Sequence, residues 1–333
     1  MTRAVDFQLT DDQRALRDGT RELLERRFPR ARLRTVVDGP GVGAGLDRAL
    51  WRELGTAGFF ALRLPEAAGG VGLGLPEAVL VMEEAGRALL PGPLVATQLA
   101  AGLGAAHAAD GSAVITALDL GTDEAGADRL VEHLAEADAV LVLNGEGAEV
   151  RPAAALADSA RRIRSVDPAT PLHRVHPPAV TPGAARNTGA AARLRREAAL
   201  LTAAQQLGSA SRTVRMAVDH ATARSQFGRP IGAFQAVQHL CARMLVRAES
   251  ARSVVYAAAV TEEASDIAAA KLLADEAAVR NARDCLQVHG GMGFTWEADV
   301  HLHLKRAWGR AGQWQTAAAA EEELAAGLLP DSC

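Results

Sequence analysis

Apolar residues recur at helical spacing over most of this chain. In residues 10–27 the positions Leu16, Leu23 and Leu24 line one face, while Thr10, Asp11 and Asp12 offer N-cap chemistry and negative charge to the first turn; this predicts an amphipathic helix. Further helical runs follow over residues 51–58, 76–90 and 94–109. The second opens with Pro76, whose missing N–H costs nothing in a first turn, and is stopped by Pro91-Gly92-Pro93. Between the first two, Leu64-Pro65-Glu66 with Gly69-Gly70 reads as a glycine-bounded turn. Residues 1–110 are therefore expected to form an N-terminal helical domain.

The pattern changes at Ser112. Residues 114–118, 139–143 and 149–151 are short apolar or alternating runs broken by Gly, Asp and Asn, as small strands with tight turns require. Residues 168–189 are rich in Pro, Thr and Gly and read as an irregular linker. Beyond them, 190–223 and 233–263 are long helical tracts and a third runs from about Ser265 to Val288, where Gly290-Gly291-Met292-Gly293 ends it; a last helical segment starts at Val300. The expected fold is mainly α with a small β domain: helical residues 1–110, a reduced middle β domain and linker over 111–188, and a C-terminal four-helix bundle over 189–333. Gly41-Val42-Gly43-Ala44-Gly45 superficially resembles a dinucleotide loop, but helical sequence rather than a strand precedes it, so it reads as an ordinary loop.

Composition narrows the function by exclusion. At 333 residues, 49% hydrophobic and 23% charged, the chain is globular and long enough for two or three domains. A net charge of -4 gives no basic footprint for nucleic acid. Three scattered cysteines, Cys241, Cys285 and Cys333, support neither a disulfide framework nor a zinc site. Charges occupy the place where a signal peptide needs its apolar run, and no stretch approaches about eighteen uninterrupted apolar residues, so a cytoplasmic protein without membrane insertion is expected. His301 and His303 stand two apart, the wrong spacing for two metal ligands on one helical face, and are assigned solvated or binding-site-edge roles; no metal is expected.

Candidate chemistry concentrates after residue 223. In Arg224-Ser225-Gln226-Phe227-Gly228-Arg229-Pro230-Ile231, followed by Phe234-Gln235-Ala236-Val237-Gln238, a forked guanidinium suits a pyrophosphate, an aromatic face suits an adenine, and a Gln amide pairs with ring heteroatoms. The bland alternative is a surface ion pair beside a core-packed Phe-Gly turn. This string resembles the acyl-CoA dehydrogenase signature R-x-x-F-G-x-x-I-x-x-x-Q, and Gln287-Val288-His289-Gly290-Gly291-Met292-Gly293 resembles that family's Q-x-x-G-G-x-G. Upstream, Pro65-Glu66 through Gly69-Gly70 is similar to its P-E-x-x-G-G turn, and Glu83-Glu84-Ala85-Gly86-Arg87 to the helix after it. The resemblance implies two helical domains flanking a β domain and FAD as cofactor. It implies Arg224 at the pyrophosphate, Phe227 at the adenine, and Gln235, Gln287, Gly290 and Gly291 completing the nucleotide end. In the family these residues reach a neighbour's flavin, so a homo- or hetero-oligomer is implied.

Two departures from the family pattern shape the functional expectation. The T-E-P-x-A-G-S-D-like loop and the W-I-T/S-like segment that contact the flavin ring are missing from the middle region. The catalytic carboxylate is also displaced. Counting to its more frequent place lands on Trp314 or Gln315, and counting to the alternative place, on the helix before Arg224, lands on Ala198. Glu197 is next to it, and one residue along a helix turns a side chain by about 100°. Glu197 is thus the candidate base, against a bland reading as a solvated partner of Arg195, Arg196 or a neighbouring turn. The leading expectation is FAD-dependent α,β-dehydrogenation of an acyl-CoA or carrier-bound thioester in fatty acid metabolism, with an electron-transfer flavoprotein as onward acceptor. The alternatives are a non-catalytic partner completing the flavin site of a paralogue, and a flavoenzyme of this fold in secondary metabolism.

Overall fold

Helices dominate the described residues, which in this computed structural model are 8–39, 46–121, 128–145, 147–176 and 189–328. The glycine run 41–45, linker residues 177–188 and Cys333 lie outside them. In chain order the helical N-terminal part contains α1 (Asp11–Arg27), α2 (Arg30–Asp38), α3 (Arg48–Thr56), α4 (Leu75–Arg87) and α5 (Leu94–Gly102). Six strands follow: β1 (Ile115–Asp119), β2 (Arg129–Glu132), β3 (Ala139–Asn144), β4 (Gly147–Pro152), β5 (Ala160–Ile163) and β6 (Leu172–Val175). The C-terminal part runs α6 (Ala190–Ala223), the short strands β7 (Ser225–Gln226) and β8 (Arg229–Pro230), α7 (Gln235–Thr261), α8 (Ala264–His289), α9 (Val300–Ala311) and α10 (Ala317–Ala326). No helix among the described residues is long and apolar enough to cross a membrane.

By contacts the chain divides into two units, one of Met1–Arg26, Leu75–Leu90 and Ala199–Cys333, the other of Arg27–Gly74 and Pro91–Ala198. In the first, an alanine-rich bundle is packed closely enough for two glycines to be obligatory. A Cβ at Gly86 of α4 would lie 2.0 Å from the Gln205 carbonyl oxygen of α6, and one at Gly208 of α6 would lie 1.8 Å from the Glu83 carbonyl oxygen of α4. Polar groups trapped in this packing find partners. Glu83 accepts from Tyr256 Oη at 2.7 Å and Arg252 Nη2 at 3.1 Å, and Glu84 pairs with Arg21 at 2.6 Å. Lys271 is ion-paired with Asp275, which also accepts from Gln206 at 2.9 Å. Both partners of that ion pair sit on α8, and Gln206 ties it to α6; a pair this deeply buried adds little net stability.

In the second unit α3 starts where the Asp47 carboxylate accepts from the N–H groups of Ala49 and Leu50, both at 3.0 Å. It buries Trp51 against Phe60, with ring centroids 4.6 Å apart. Two three-stranded sheets follow. One has the order β1-β3-β4, with β1 parallel to β3 and β4 antiparallel; the other is antiparallel in the order β2-β6-β5. Leu118, Val140 and Val142 of the first pack with Val131 and Val175 of the second to make a small apolar core.

Three local expectations are corrected. Helix α5 stops at Gly102 rather than Ala109, and Gly104 then turns the chain at φ 77. Helix α2 and strands β2 and β5 are not among the predicted elements. The stretch read as linker contains β6, the middle strand of the second sheet, in which His173 and Val175 point inward and Arg174 outward.

Candidate functional site

The end of α6 presents a tight hairpin. Between β7 and β8 the two loop residues, Phe227 at φ 53 and Gly228 at φ 76, are both left-handed, the turn whose twist suits a two-residue hairpin. The Ile231 N–H closes its base onto the Arg224 carbonyl at 2.8 Å. This turn carries the Phe227 ring out into solvent, 90% exposed. The ring meets Phe234 edge-on at 6.1 Å, and the Arg229 guanidinium lies 4.3 Å over the Phe234 ring. Arg224 and Gln235 are exposed, and the Arg224 side chain has no ion-pair partner among the described residues. The core-packed Phe-Gly turn and the surface ion pair are therefore both set aside.

The second motif arrives at the same place. Helix α8 ends at His289 because Gly290 adopts φ 61, ψ -140, which L side chains avoid, and a 3-10 turn follows over Gly290–Phe294. Gln287, Gly290 and Gly291 are exposed there, as is Phe294 at 78%. His220 in the last turn of α6 stacks on His289 at 4.1 Å, so the two helix ends are neighbours. Ala221, Ile231, Leu286 and Val288 share one apolar cluster beneath them. Burial, then the nearby His289 and Arg224, pull the His220 pKa below its ordinary value. One exposed end thus collects an unpaired guanidinium, two amides, an aromatic face and glycine backbone open to close approach. That donor set fits the phosphates and base of a nucleotide.

The candidate base lies in the other unit. Glu197 is 5% exposed, so it is not solvated; of its two partners, Arg193 stands one turn before it on α6, as the bland reading allowed, and Arg63 comes from far along the chain. Arg63 Nη1 donates to one carboxylate oxygen at 2.8 Å and Arg193 Nη1 to the other at 2.6 Å. Burial alone would raise the carboxyl pKa, but the hydrogen bond and charge of Arg63, with Arg193 behind them, outweigh it and hold Glu197 below its ordinary value. Arg195 instead clamps Asp119 at 2.8 Å. Glu197 lines a cavity of about 130 Å³ together with Arg63, Gln98 and Arg193. Arg63 and Gln98 were not signalled by the sequence: each lies far from Glu197 along the chain, and no local spacing joins them.

Other chemistry-bearing residues are accounted for by packing. His303, expected to be solvated or at a binding-site edge, is buried with Nδ1 2.8 Å from Ser209 Oγ. His301 stacks on Trp296 at 4.8 Å. No group of His, Cys, Asp and Glu among the described residues could hold a metal. Cys285 is buried and its thiol is pushed up to about 12 by its apolar surroundings, which makes it unreactive.

Comparison with known proteins gives a consistent set of relatives. Residues 10–117 match the model of the acyl-CoA dehydrogenase N-terminal domain and residues 190–311 that of the acyl-CoA dehydrogenase C-terminal domain. The chain is 38% identical over 280 residues to the acyl-CoA dehydrogenase IpdE2 of Mycobacterium tuberculosis, covering 80% of this chain and 82% of that one. It is 34% identical over 315 residues to the IpdE2 of Mycolicibacterium smegmatis, covering 91% and 94%. Among solved structures, the Tcur3481-Tcur3483 steroid ACAD variant matches with TM-score 0.80 and 28% identity over 95% of this chain and 97% of that one. The ChsE4-ChsE5 complex of Mycobacterium tuberculosis matches with TM-score 0.83 and 24% identity over 98% and 100%, a likeness of fold.

Proposed function

Because the chain belongs to the acyl-CoA dehydrogenase family, we propose that it works as a subunit of an FAD-dependent enzyme that dehydrogenates an acyl thioester between its α and β carbons. The observation that carries this reading is the gathering of Arg224, Phe227, Gln235, Gln287, Gly290 and Gly291 on one exposed end. When bound, FAD would supply the acceptor for the β hydride. The Arg224 guanidinium would hold its pyrophosphate through paired N–H donors, and the Phe227 ring would lie against the adenine. The Gln235 and Gln287 amides would bond the remaining polar edges, and the glycines would let backbone come close. All these groups face outward, as residues serving a neighbouring subunit's flavin must, so the working form is a homo- or hetero-oligomer. The neighbour named as a pair, Tcur3481-Tcur3483, supports an assembly of two kinds of chain. An electron-transfer flavoprotein is the onward acceptor in this reading.

Glu197 is the carboxylate proposed to take the α proton. To do so it must exchange one guanidinium for the substrate, and its lowered pKa makes it a weak base until it does. That same double clamp favours a second reading, in which this chain completes the flavin site of a catalytic paralogue and Glu197 is structural. The visible spectrum of the purified chain, followed by anaerobic addition of butanoyl-CoA, tests both. A yellow protein that bleaches sinks the partner-only reading, whereas a colourless one that gains flavin only on co-expression with a paralogue sinks the self-sufficient enzyme. Replacing Glu197 by Gln should abolish bleaching; unchanged reduction removes it as the base.

A further inference from the structure

The cavity beside Glu197 carries an excess of positive charge. Arg63, Arg193 and Glu197 all line it, and Phe60, Leu64 and Leu99 make part of its wall apolar. Two guanidiniums meet one carboxylate there. The arginines hold Glu197 in its ionised form, so one positive charge is left over. Each arginine gives one nitrogen to Glu197, and neither has another hydrogen-bond or ion-pair partner among the described residues. The Arg63 head group has no nitrogen buried without a partner, and the Arg193 side chain is half exposed, so both keep N–H donors within reach of a small molecule. A side chain that is half exposed and also lines the cavity stands at its mouth. Charge in excess beside an apolar wall is costly, and an anion seated against it relieves that cost.

We infer that this cavity binds a small carboxylate with an apolar body, about six heavy atoms in all, judged against the benzene that an engineered cavity of about 150 Å³ holds. The carboxylate accepts from the N–H groups of Arg63 and Arg193 that Glu197 leaves unused, and the carbon body packs on Phe60, Leu64 and Leu99. A hydrocarbon would fill the space but leave the charge unmatched. A bare inorganic anion would match the charge but leave the apolar wall uncovered. Glu197 competes with the ligand for the same two head groups, so removing its charge strengthens binding, whereas removing Arg193 weakens it. Two sources present such a group: a free acid, or the far end of a thioester's acyl chain. The second of these rests on the acyl-thioester reading proposed above.

The full chain, with whatever flavin it retains, is titrated at neutral pH with butanoate and with butanamide, its uncharged counterpart of equal size, by ligand-observed NMR. Butanoate is expected to bind wild type at least about tenfold more tightly than butanamide. That preference should shrink severalfold in Arg193→Gln and grow severalfold in Glu197→Gln. Equal binding of the two by wild type overturns the inference without needing either variant to fold, and so does failure of butanoate to bind. A preference that survives Arg193→Gln intact, or that does not rise in Glu197→Gln, overturns it too, since the anion would then sit elsewhere. Hexanedioyl-CoA against hexanoyl-CoA distinguishes the sources. Tighter binding of hexanedioyl-CoA by about tenfold places the carboxylate on the acyl chain; equal binding makes the ligand a free acid. If butanoate binds as expected and neither thioester binds, the thioester reading falls and the carboxylate site stands.

Discussion

A phenylalanine held at φ 53 pays for its position with backbone strain, because left-handed geometry costs an L residue about 1–2 kcal/mol that glycine avoids. Phe227 therefore has little to recommend it to the isolated fold: it is almost fully exposed and its edge contact with Phe234 is modest. Replacing it by Gly should leave unfolding stability within about 1 kcal/mol of wild type, since relief of strain offsets the lost ring contact. Flavin retention on desalting should nevertheless fall severalfold. A large loss of stability would show that the ring serves packing instead. His220 next door offers a pH test. Its folded pKa lies below the ordinary value of 6.5, so in the window beneath that value the unfolded chain binds more protons. Its contribution is complete above about pH 6.5 and is lost as the pH falls through the folded pKa. His220→Phe keeps a stacking ring and removes the titration, so denaturant melts from pH 7 to pH 5 should show a shallower decline than wild type. The motif residues at this end were legible because each motif is local in sequence. Glu197 was legible as a position but not as an environment, since its burial depends on Arg63, which lies in a different part of the chain.

At the scale of elements, the tightest constraint is where α4 meets α6. Any side chain at Gly208 must displace the Glu83 backbone, which is itself fixed in a helix, so Gly208→Ala should cost about 3 kcal/mol in urea unfolding despite the better helix propensity of alanine. Gly309, on α9 with open space around its Cβ position, is the control: Gly309→Ala should be neutral or stabilising. Sequence periodicity could not distinguish these two glycines, because both sit in helical patterns and only the crossing of a distant helix separates them. It did capture the long helices well. Helix α6 spans the same residues, 190–223, that the pattern predicts, and α8 differs by only a residue at each end. A 34-residue helix repeats its pattern many times. Strands of four residues do not. In β6 the inward positions are His173 and Val175 with Arg174 between, and a buried histidine breaks the alternation that would have marked a strand. Helix α2 was hidden differently: four of its nine residues are Arg or Asp, leaving only Leu33 and Val37 to mark the buried face.

For the whole molecule, the exposed end that bears the nucleotide motifs also carries large apolar side chains among the described residues. Phe227 and Phe294 are accompanied there by Met292 and Trp296, all exposed, among charged and polar neighbours. Large apolar groups rimmed by polar ones mark a surface that meets something else. If that something is a second subunit together with its flavin, assembly and cofactor retention depend on overlapping residues but not on the same ones. Phe294→Ser removes apolar area without touching the phosphate donors, so it should shift the chain toward a smaller species in light scattering and release flavin as a consequence. Arg224→Ala removes a charge-assisted donor and leaves the aromatic surface intact, so it should release flavin while the oligomer persists. Measuring mass and visible absorbance across one size-exclusion run reads both at once. Loss of flavin from Phe294→Ser with no change in mass would place the ring on the cofactor alone. Dissociation of the Arg224→Ala protein would instead make the guanidinium an interface residue, and the division of labour between the two motifs would have to be redrawn.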